Sequence, residues 1–368
     1  MNTKLKNKII SISFIGILIS FTIINFISSD KEISYYERRK LEQLPTFYIK
    51  SLMNGDYFED FEKYVLDQFV LRDEFRYFKA LTSYRIFNEK DNNNIYMKDD
   101  YIFKMEYPLK EESVYNASNI YNKIAATYFE DANVYYTIVP DKNYFVCEDK
   151  NRLLIDYNKM FNIMKKSTKD MKYIDIAKDL SLSDYYETDI HWKQENILNI
   201  SDILLTSMGN NKKASDYDYT SKVFYPFYGS YYGQAAMKSK PDKLVYLSNK
   251  IIKESKVYDY EDKSYKNIYD DKAFDNVDSY DVFLSGAKPL LQIENPNNKS
   301  NEELYIFRDS FGSSIAPLLI SEYSRVTLID LRYITLSELN KYIEPKKDAD
   351  VLFMYNTLVL NDSSTISR

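Results

Sequence analysis

From Ile9 to Ile27 the chain carries no charged side chain. A helix of that length crosses the ~30 Å hydrocarbon core of a bilayer, which takes about 20 apolar residues. Lys4, Lys6 and Lys8 precede the run, and basic residues beside a span stay on the cytoplasmic side. Residues 1–29 therefore read as an N-terminal membrane anchor, with everything after them extracytoplasmic. A cleavable signal peptide is the competing reading. Its apolar core is ordinarily shorter, and Ser28-Ser29 makes only a weak cleavage site. The expected location is the cell membrane, with a single N-terminal span, or secretion if the segment is removed.

The formal net charge is -6, and the exported part is more acidic once the three lysines are set aside. An acidic domain lacks the basic face that phosphate contacts need, so no nucleic-acid partner is expected. Cys147 is the only cysteine and His191 the only histidine, which excludes an intramolecular disulfide and a Cys/His zinc site. No metal and no cofactor is expected. The 37 tyrosines offer amphipathic rings of the kind that line sugar grooves, although Ile, Lys, Asn and Tyr also rise together in chains of AT-rich coding sequence.

Residues 30–110 read as a tether with a helical and hairpin preface. Phe58, Phe61, Val65 and Phe69 recur at helical spacing, and Lys98-Asp99-Asp100 separates two short apolar runs, predicting a hairpin. Residues 111–368 read as one α/β domain with a loop-rich insertion near 210–295 that holds short strands such as Leu244 to Leu247. A strand is predicted over 134–139, helices over 154–164 and 192–208, and a strand over 173–176. After the insertion come a strand over 304–307, a helix from Ser313, a strand over 326–329, a helix over 336–343 and a strand over 351–355. Strands and helices alternating in this way predict a parallel sheet covered on both faces, with ligands at the carboxyl ends of the strands.

His191 stands in Thr188-Asp189-Ile190-His191-Trp192. A histidine acting as a base needs a partner on its far nitrogen to fix tautomer and orientation. Asp189 is placed to serve, and Asp184 is a second candidate. Phe307-Arg308-Asp309-Ser310-Phe311-Gly312 ends a predicted strand and opens a helix. A serine at such a turn is lifted from the sheet beside free backbone N–H groups, which can hold an oxyanion. Asp309 or Ser310 would equally serve as a plain helix cap. Asn356, at the end of the last strand, can donate to an oxyanion or simply form a turn. The chain has seven glycines, and Gly286, Gly312 and the Gly229–Gly233 loop stand where a special backbone conformation or an ordinary tight turn is needed.

These stretches together resemble the DHHW family of exported bacterial proteins, which is similar to SGNH hydrolases and, more distantly, to the O-acetyltransferases of alginate-type polysaccharides. The shared features are Glu37-Arg38-Arg39-Lys40-Leu41 with Leu44-Pro45, Asp67-Gln68-Phe69 with Arg72-Asp73, Val139-Pro140-Asp141-Lys142, the Asp-Ile-His-Trp block and Arg308-Asp309-Ser310-Phe311-Gly312. Ile190 replaces the first histidine of Asp-His-His-Trp, and Arg308 stands where SGNH enzymes have glycine. The resemblance implies an SGNH-like three-layer α/β/α fold with a parallel sheet and a permuted motif order, preceded by a transmembrane helix. It implies Ser310 as nucleophile, His191 as base and Asp189 as its partner, and it sets Asn356 where the SGNH pattern has its oxyanion asparagine; Gly286, Arg308 and Trp192 are the further candidate oxyanion or substrate contacts. The implied activity is O-acyl transfer, of acetyl groups, to a cell-surface or secreted polysaccharide, with a polytopic membrane acyltransferase as donor. A carbohydrate esterase of the same fold, or a non-catalytic polysaccharide-binding or assembly protein, are the alternatives.

Overall fold

A computed structural model describes residues 3–146 and 152–366; Cys147 lies outside them. The chain forms two compact units, one of residues 3–89 with 236–238 and one of the remainder.

The first unit opens with helix α1 (Thr3–Ile27), whose residues are unburied along its length. At 1.5 Å per residue it is about 37 Å long, so it fits a single membrane span. Helices α2 (Asp56–Gln68) and α3 (Arg72–Arg85) follow. The stretch expected to be a tether is tied down by charge. Arg39 grips Asp67 through two hydrogen bonds of 2.5 and 2.7 Å, while Arg72 and Arg76 both reach Glu37. The Arg39 guanidinium holds the Asp67 carboxyl below its usual range. The Glu37–Leu41 and Asp67–Asp73 blocks are therefore the two halves of one ion-pair cluster.

In the second unit an antiparallel hairpin joins Ile95–Lys98 to Tyr101–Lys104. Its turn residues Asp99 and Asp100 both take positive φ, 49° and 66°, the conformation a two-residue hairpin turn demands. Helices α4 (Glu111–Tyr128), α5 (Tyr157–Ser167), α6 (Leu198–Ser207) and α7 (Phe311–Leu319) surround an eight-stranded sheet. Its strands in chain order are β1 (Asn133–Val139), β2 (Lys172–Tyr173), β3 (Lys256–Asp259), β4 (Ser264–Lys266), β5 (Leu290–Glu294), β6 (Glu303–Arg308), β7 (Arg325–Ile329) and β8 (Asp350–Asn356). In space they run β4-β3-β5-β7-β6-β8-β1-β2. From β7 to β2 every pairing is parallel. β5, β3 and β4 extend that edge antiparallel.

Successive residues of β8 feed opposite cores, as side-chain alternation along a strand requires. Leu352 and Met354 join α6 and α7 on one face, and Val351, Phe353 and Tyr355 join α4 and α5 on the other. Helix α4 meets the sheet with Val114, Ala117, Tyr121 and Ile124, and Tyr121 stacks on Phe353 at 4.4 Å. Such a pair contributes about 0.5–1.5 kcal/mol beyond its buried area. This is the expected three-layer arrangement.

Element limits shift by a few residues. The helix expected over 336–343 closes after Leu336–Leu339, and the strand over 173–176 shortens to β2. The larger difference is in the region near 210–295, which is more regular than expected although the short strand at 244–247 is present. It contains the antiparallel ladder of Thr220–Phe227 with Asp242–Ser248 and the three added sheet strands. Its many tyrosines blur a period-2 pattern, because a tyrosine serves on a buried or an exposed face.

Candidate functional site

Ser310 follows the carboxyl end of β6, a central strand with parallel neighbours on both sides, and caps α7 in α-helical backbone geometry (φ -64°, ψ -22°). It is part-exposed, at the sheet edge where α/β proteins place ligands. Its Oγ lies 2.7 Å from His191 Nε2, across 119 residues of sequence. On the far side, His191 Nδ1 lies 2.5 Å from Asp189 Oδ1. These partners assign the tautomer: Nδ1–H donates to the carboxylate, and Nε2 accepts from the serine hydroxyl. Asp184 is engaged elsewhere, accepting the Ser181 N–H and hydroxyl at 2.8 and 2.9 Å. Of the two candidate partners, the histidine meets Asp189.

Asp189 is held by backbone. Oδ1 also accepts the His191 N–H at 3.0 Å, and Oδ2 accepts the Ser230 N–H at 2.6 Å. Gly229 presses against the same residue: a methyl built on it would fall 2.2 Å from Asp189 Cβ, so only glycine allows this approach. Behind the loop, the Asp242 carboxylate accepts the N–H groups of Glu187 and Thr188 and the Thr188 hydroxyl. Beneath it, the buried Lys142 ammonium donates to the Tyr186 and Glu187 carbonyls at 3.1 and 3.2 Å. Burial brings that ammonium down to about 7.

The imidazole has a ceiling. Tyr280 stacks on it with ring centroids 3.7 Å apart and planes within 6°. The Tyr280 hydroxyl donates to Ser314 Oγ at 2.9 Å, as does Trp192 Nε1 at 2.8 Å. Gln194 Nε2 bonds the Ser314 carbonyl. One residue of α7 thereby ties together the histidine loop, the tyrosine and the helix that carries Ser310.

The four further candidates are placed differently from the expectation of oxyanion or substrate contact. Trp192 is fully buried in the core. Arg308 is fully buried as well, donating to Ser313 Oγ at 2.9 Å and lying 4.0 Å from Asp330. Its stem packs on Gly312, where an added methyl would come within 2.7 Å of Arg308 Cβ. Asn356 gives its side-chain N–H to the Val139 carbonyl and takes the Leu358 N–H. Gly286 has φ 83° and abuts Asp281. The helix N-terminus differs too. The Phe311 N–H goes to Asp309 Oδ1, the Gly312 N–H to the Asp309 carbonyl and the Ser313 N–H to the Ser310 carbonyl. Asp309 also accepts the Asn356 N–H at 2.7 Å, so it fastens the serine turn to β8. Sequence reasoning missed Asp242, Lys142 and Tyr280. Lys142 lies in the Val139-Pro140-Asp141-Lys142 stretch, whereas Tyr280 and Asp242 lie in tyrosine-rich sequence with no distinguishing pattern.

No protein-family profile matches the chain, and no curated protein sequence matches it. Among solved structures, it is similar to a DHHW family protein from Eubacterium siraeum DSM 15702, with TM-score 0.60, 18% identity, and coverage of 75% of this chain and 95% of that one. It is also similar to PatB1 of Bacillus cereus, with TM-score 0.61, 20% identity, and coverage of 73% and 97%. PatB1 with a sulfonyl adduct gives TM-score 0.57 and 19% identity, over 72% of this chain and 97% of that one. Likeness at these identities establishes a shared fold, and at that level the DHHW resemblance holds.

Proposed function

We propose that this chain is a membrane-anchored O-acyltransferase that moves an acyl group, most simply acetyl, onto a polysaccharide outside the cell, with Ser310 as nucleophile, His191 as base and Asp189 as its orienting partner. The continuous hydrogen-bond chain from Ser310 through His191 to Asp189 carries the reading, since a hydroxyl becomes a competent nucleophile when a base takes its proton. Ser310 Oγ attacks the carbonyl of an acyl donor as His191 Nε2 takes the hydroxyl proton. Collapse re-forms the carbonyl and breaks the bond between the acyl carbon and the donor's leaving group, which takes that proton from His191, and the acyl group remains as a serine ester. A sugar hydroxyl then attacks the ester and gives its proton to His191, which returns it to Ser310. Asp189 and the stacked Tyr280 support the imidazolium in each half-reaction.

Lys4, Lys6 and Lys8 favour a cytoplasmic amino terminus, so the domain and its substrate lie outside. A polytopic membrane acyltransferase is the proposed donor of acyl groups. The sulfonyl adduct of PatB1 suggests the probe, because sulfonyl and phosphonyl fluorides capture activated hydroxyls. The full chain in detergent is treated with a fluorophosphonate, then given an activated acetyl ester with and without oligosaccharide. Labelling absent in Ser310→Ala, and acetyl recovered on the oligosaccharide, are the expected results. Acetate released with no sugar product would make the protein an esterase. A folded chain that takes no label would make it a binding or assembly protein.

A further inference from the structure

Helices α2 and α3 keep apolar faces exposed beside the N-terminal span. Phe58, Phe61 and Val65 follow one face of α2 and are 62%, 40% and 41% exposed. Leu71, Phe75 and Phe78 follow one face of α3, and Ile86 continues it past the helix end, exposed by 53%, 48%, 65% and 71%. Polar residues hold the opposite side of α2, with Asp56, Glu59, Asp60 and Lys63 all exposed. Leaving so many large apolar side chains in water would cost about 25 cal/mol for each Å², and contiguous patches of this kind mark an interaction site.

The span itself identifies the occupant. Phe21 of α1 stacks on Phe69 at 5.8 Å and meets Phe75 at 5.9 Å. Asn25 Oδ1 accepts the Val70 N–H at 2.7 Å. Phe21 lies six residues inside the end of α1 at Ile27, about 9 Å along its axis. Whatever touches Phe21 is therefore held at bilayer depth when α1 crosses the membrane. Between α1 and these helices opens a cleft of about 970 Å³ whose walls include Leu18, Phe21, Phe61, Val65 and Phe75. Leu18 sits about 14 Å inside the helix end, at a depth reached by acyl chains.

We infer that α2 and α3 lie in the outer interface of the bilayer, with Phe58, Phe61, Leu71, Phe75 and Phe78 among the acyl chains and lipid tails filling the cleft beside α1. Amphipathic helices sit about 5–10 Å into this boundary. The acidic outer face of α2 offers anionic lipid no attraction, so apolar burial drives the contact and salt does not weaken it. The unit is thus a platform on the membrane surface. The inference rests on α1 spanning a bilayer and is independent of the chemistry proposed for Ser310.

The test uses the full chain with Cys147→Ser, carrying one nitroxide at a time at Phe58→Cys, Phe78→Cys, Lys63→Cys or Ile15→Cys, in lipid discs of phosphatidylcholine alone. Collision with oxygen reports lipid, and collision with a water-soluble nickel chelate reports water. Positions 58 and 78 are expected to follow position 15 at mid-span, with an oxygen-to-nickel ratio several-fold above that at 63 and unchanged by salt. If 58 and 78 follow 63 while 15 lies in lipid, the faces stand in water or await a protein, and the inference is overturned. Should 15 itself meet nickel, span and platform fall together. All four positions are surface-exposed, so the folded domain is not at stake; unchanged circular dichroism checks it.

Discussion

Gly229→Ala tests how the Asp189 carboxylate is positioned. The added methyl would stand 2.2 Å from Asp189 Cβ, 2.4 Å from its Cα and 2.5 Å from its nitrogen. Carbon atoms rest at about 3.5–4.0 Å, so one backbone segment must retreat by more than about 1 Å. Neither segment is free to do so. The Gly229 N–H is bonded to Thr188 Oγ1 at 2.8 Å, and the Ser230 N–H to Asp189 Oδ2 at 2.6 Å, so opening the gap strains both. Thr188 is further pinned by Asp242. Overpacking of this kind costs about 1–3 kcal/mol of stability. A shift of about 1 Å at a group that orients a base costs on the order of 100-fold in rate. The assay is turnover of an activated acetyl ester by the purified chain, with Tm measured alongside. A fall in kcat near that size, with the protein still folded at the assay temperature, is expected. Wild-type kcat at an unchanged Tm would refute the packing argument. Gly209→Ala is the control: its φ is +93° and nothing lies within 4 Å of the added methyl, so it should cost about 1–2 kcal/mol of strain and leave turnover intact.

Asp189→Asn should lower kcat by about 10⁴ through the wrong histidine tautomer, whereas Asp184→Ala should cost only about 1 kcal/mol of capping stability, as ester turnover and Tm will show. Tyr280→Leu removes the ring stacked on His191 and should lower kcat for an activated ester, while Tyr280→Phe keeps the ring, loses only the Ser314 bond and should retain most of the turnover. Burial lowers Lys142 from 10.5 to about 7, so the unfolded chain binds the extra proton between these values and stability rises with pH across that window. Glu195 runs the other way: burial raises it from 4.5 to about 7, so the folded chain holds the extra proton and stability falls as pH climbs from 4.5 to 7. Tm against pH should lose the first slope in Lys142→Met and the second in Glu195→Gln; either slope surviving its own substitution rules out that assignment.

The long apolar N-terminal helix, the parallel half of the sheet and the approach of His191 to Ser310 were legible because each has a strong local signal. An uncharged run of this length reads directly as an apolar helix. Strands buried on both faces, such as Leu304 to Phe307, read as short apolar blocks between helices. A lone histidine with an aspartate two residues away limits the choices for a base. What stayed hidden depends on contacts distant in sequence. Asp242 reaches the Thr188 backbone across 54 residues, and Tyr280 reaches Ser314 across 34. Nothing near either residue separates it from other aspartates and tyrosines of the same stretch. Position at a strand end suggests ligand contact for Arg308 and Asn356, but the Arg308 guanidinium turns inward to the Asp309 carbonyl and Ser313, and the Asn356 side chain to Val139 and Leu358. The N–H groups of α7 were expected to be free; an aspartate one residue before the serine accepts the first of them, a competition that side-chain capping makes common.

The strand order also bears on how the chain matures. β1 finds its long neighbour in β8, pairing Asn133 with Asp350 and Asn356 with Val139, so a segment emerging in the first half of synthesis waits for nearly the last residues before its edge is closed. During that interval Val134 to Val139 presents open backbone and apolar side chains to whatever is nearby, the situation that favours misassembly. If the domain is exported as proposed above, a chain threaded across a membrane from its amino terminus meets this delay in full, and a strain short of extracytoplasmic chaperones should accumulate it as insoluble material before it shows any loss of export.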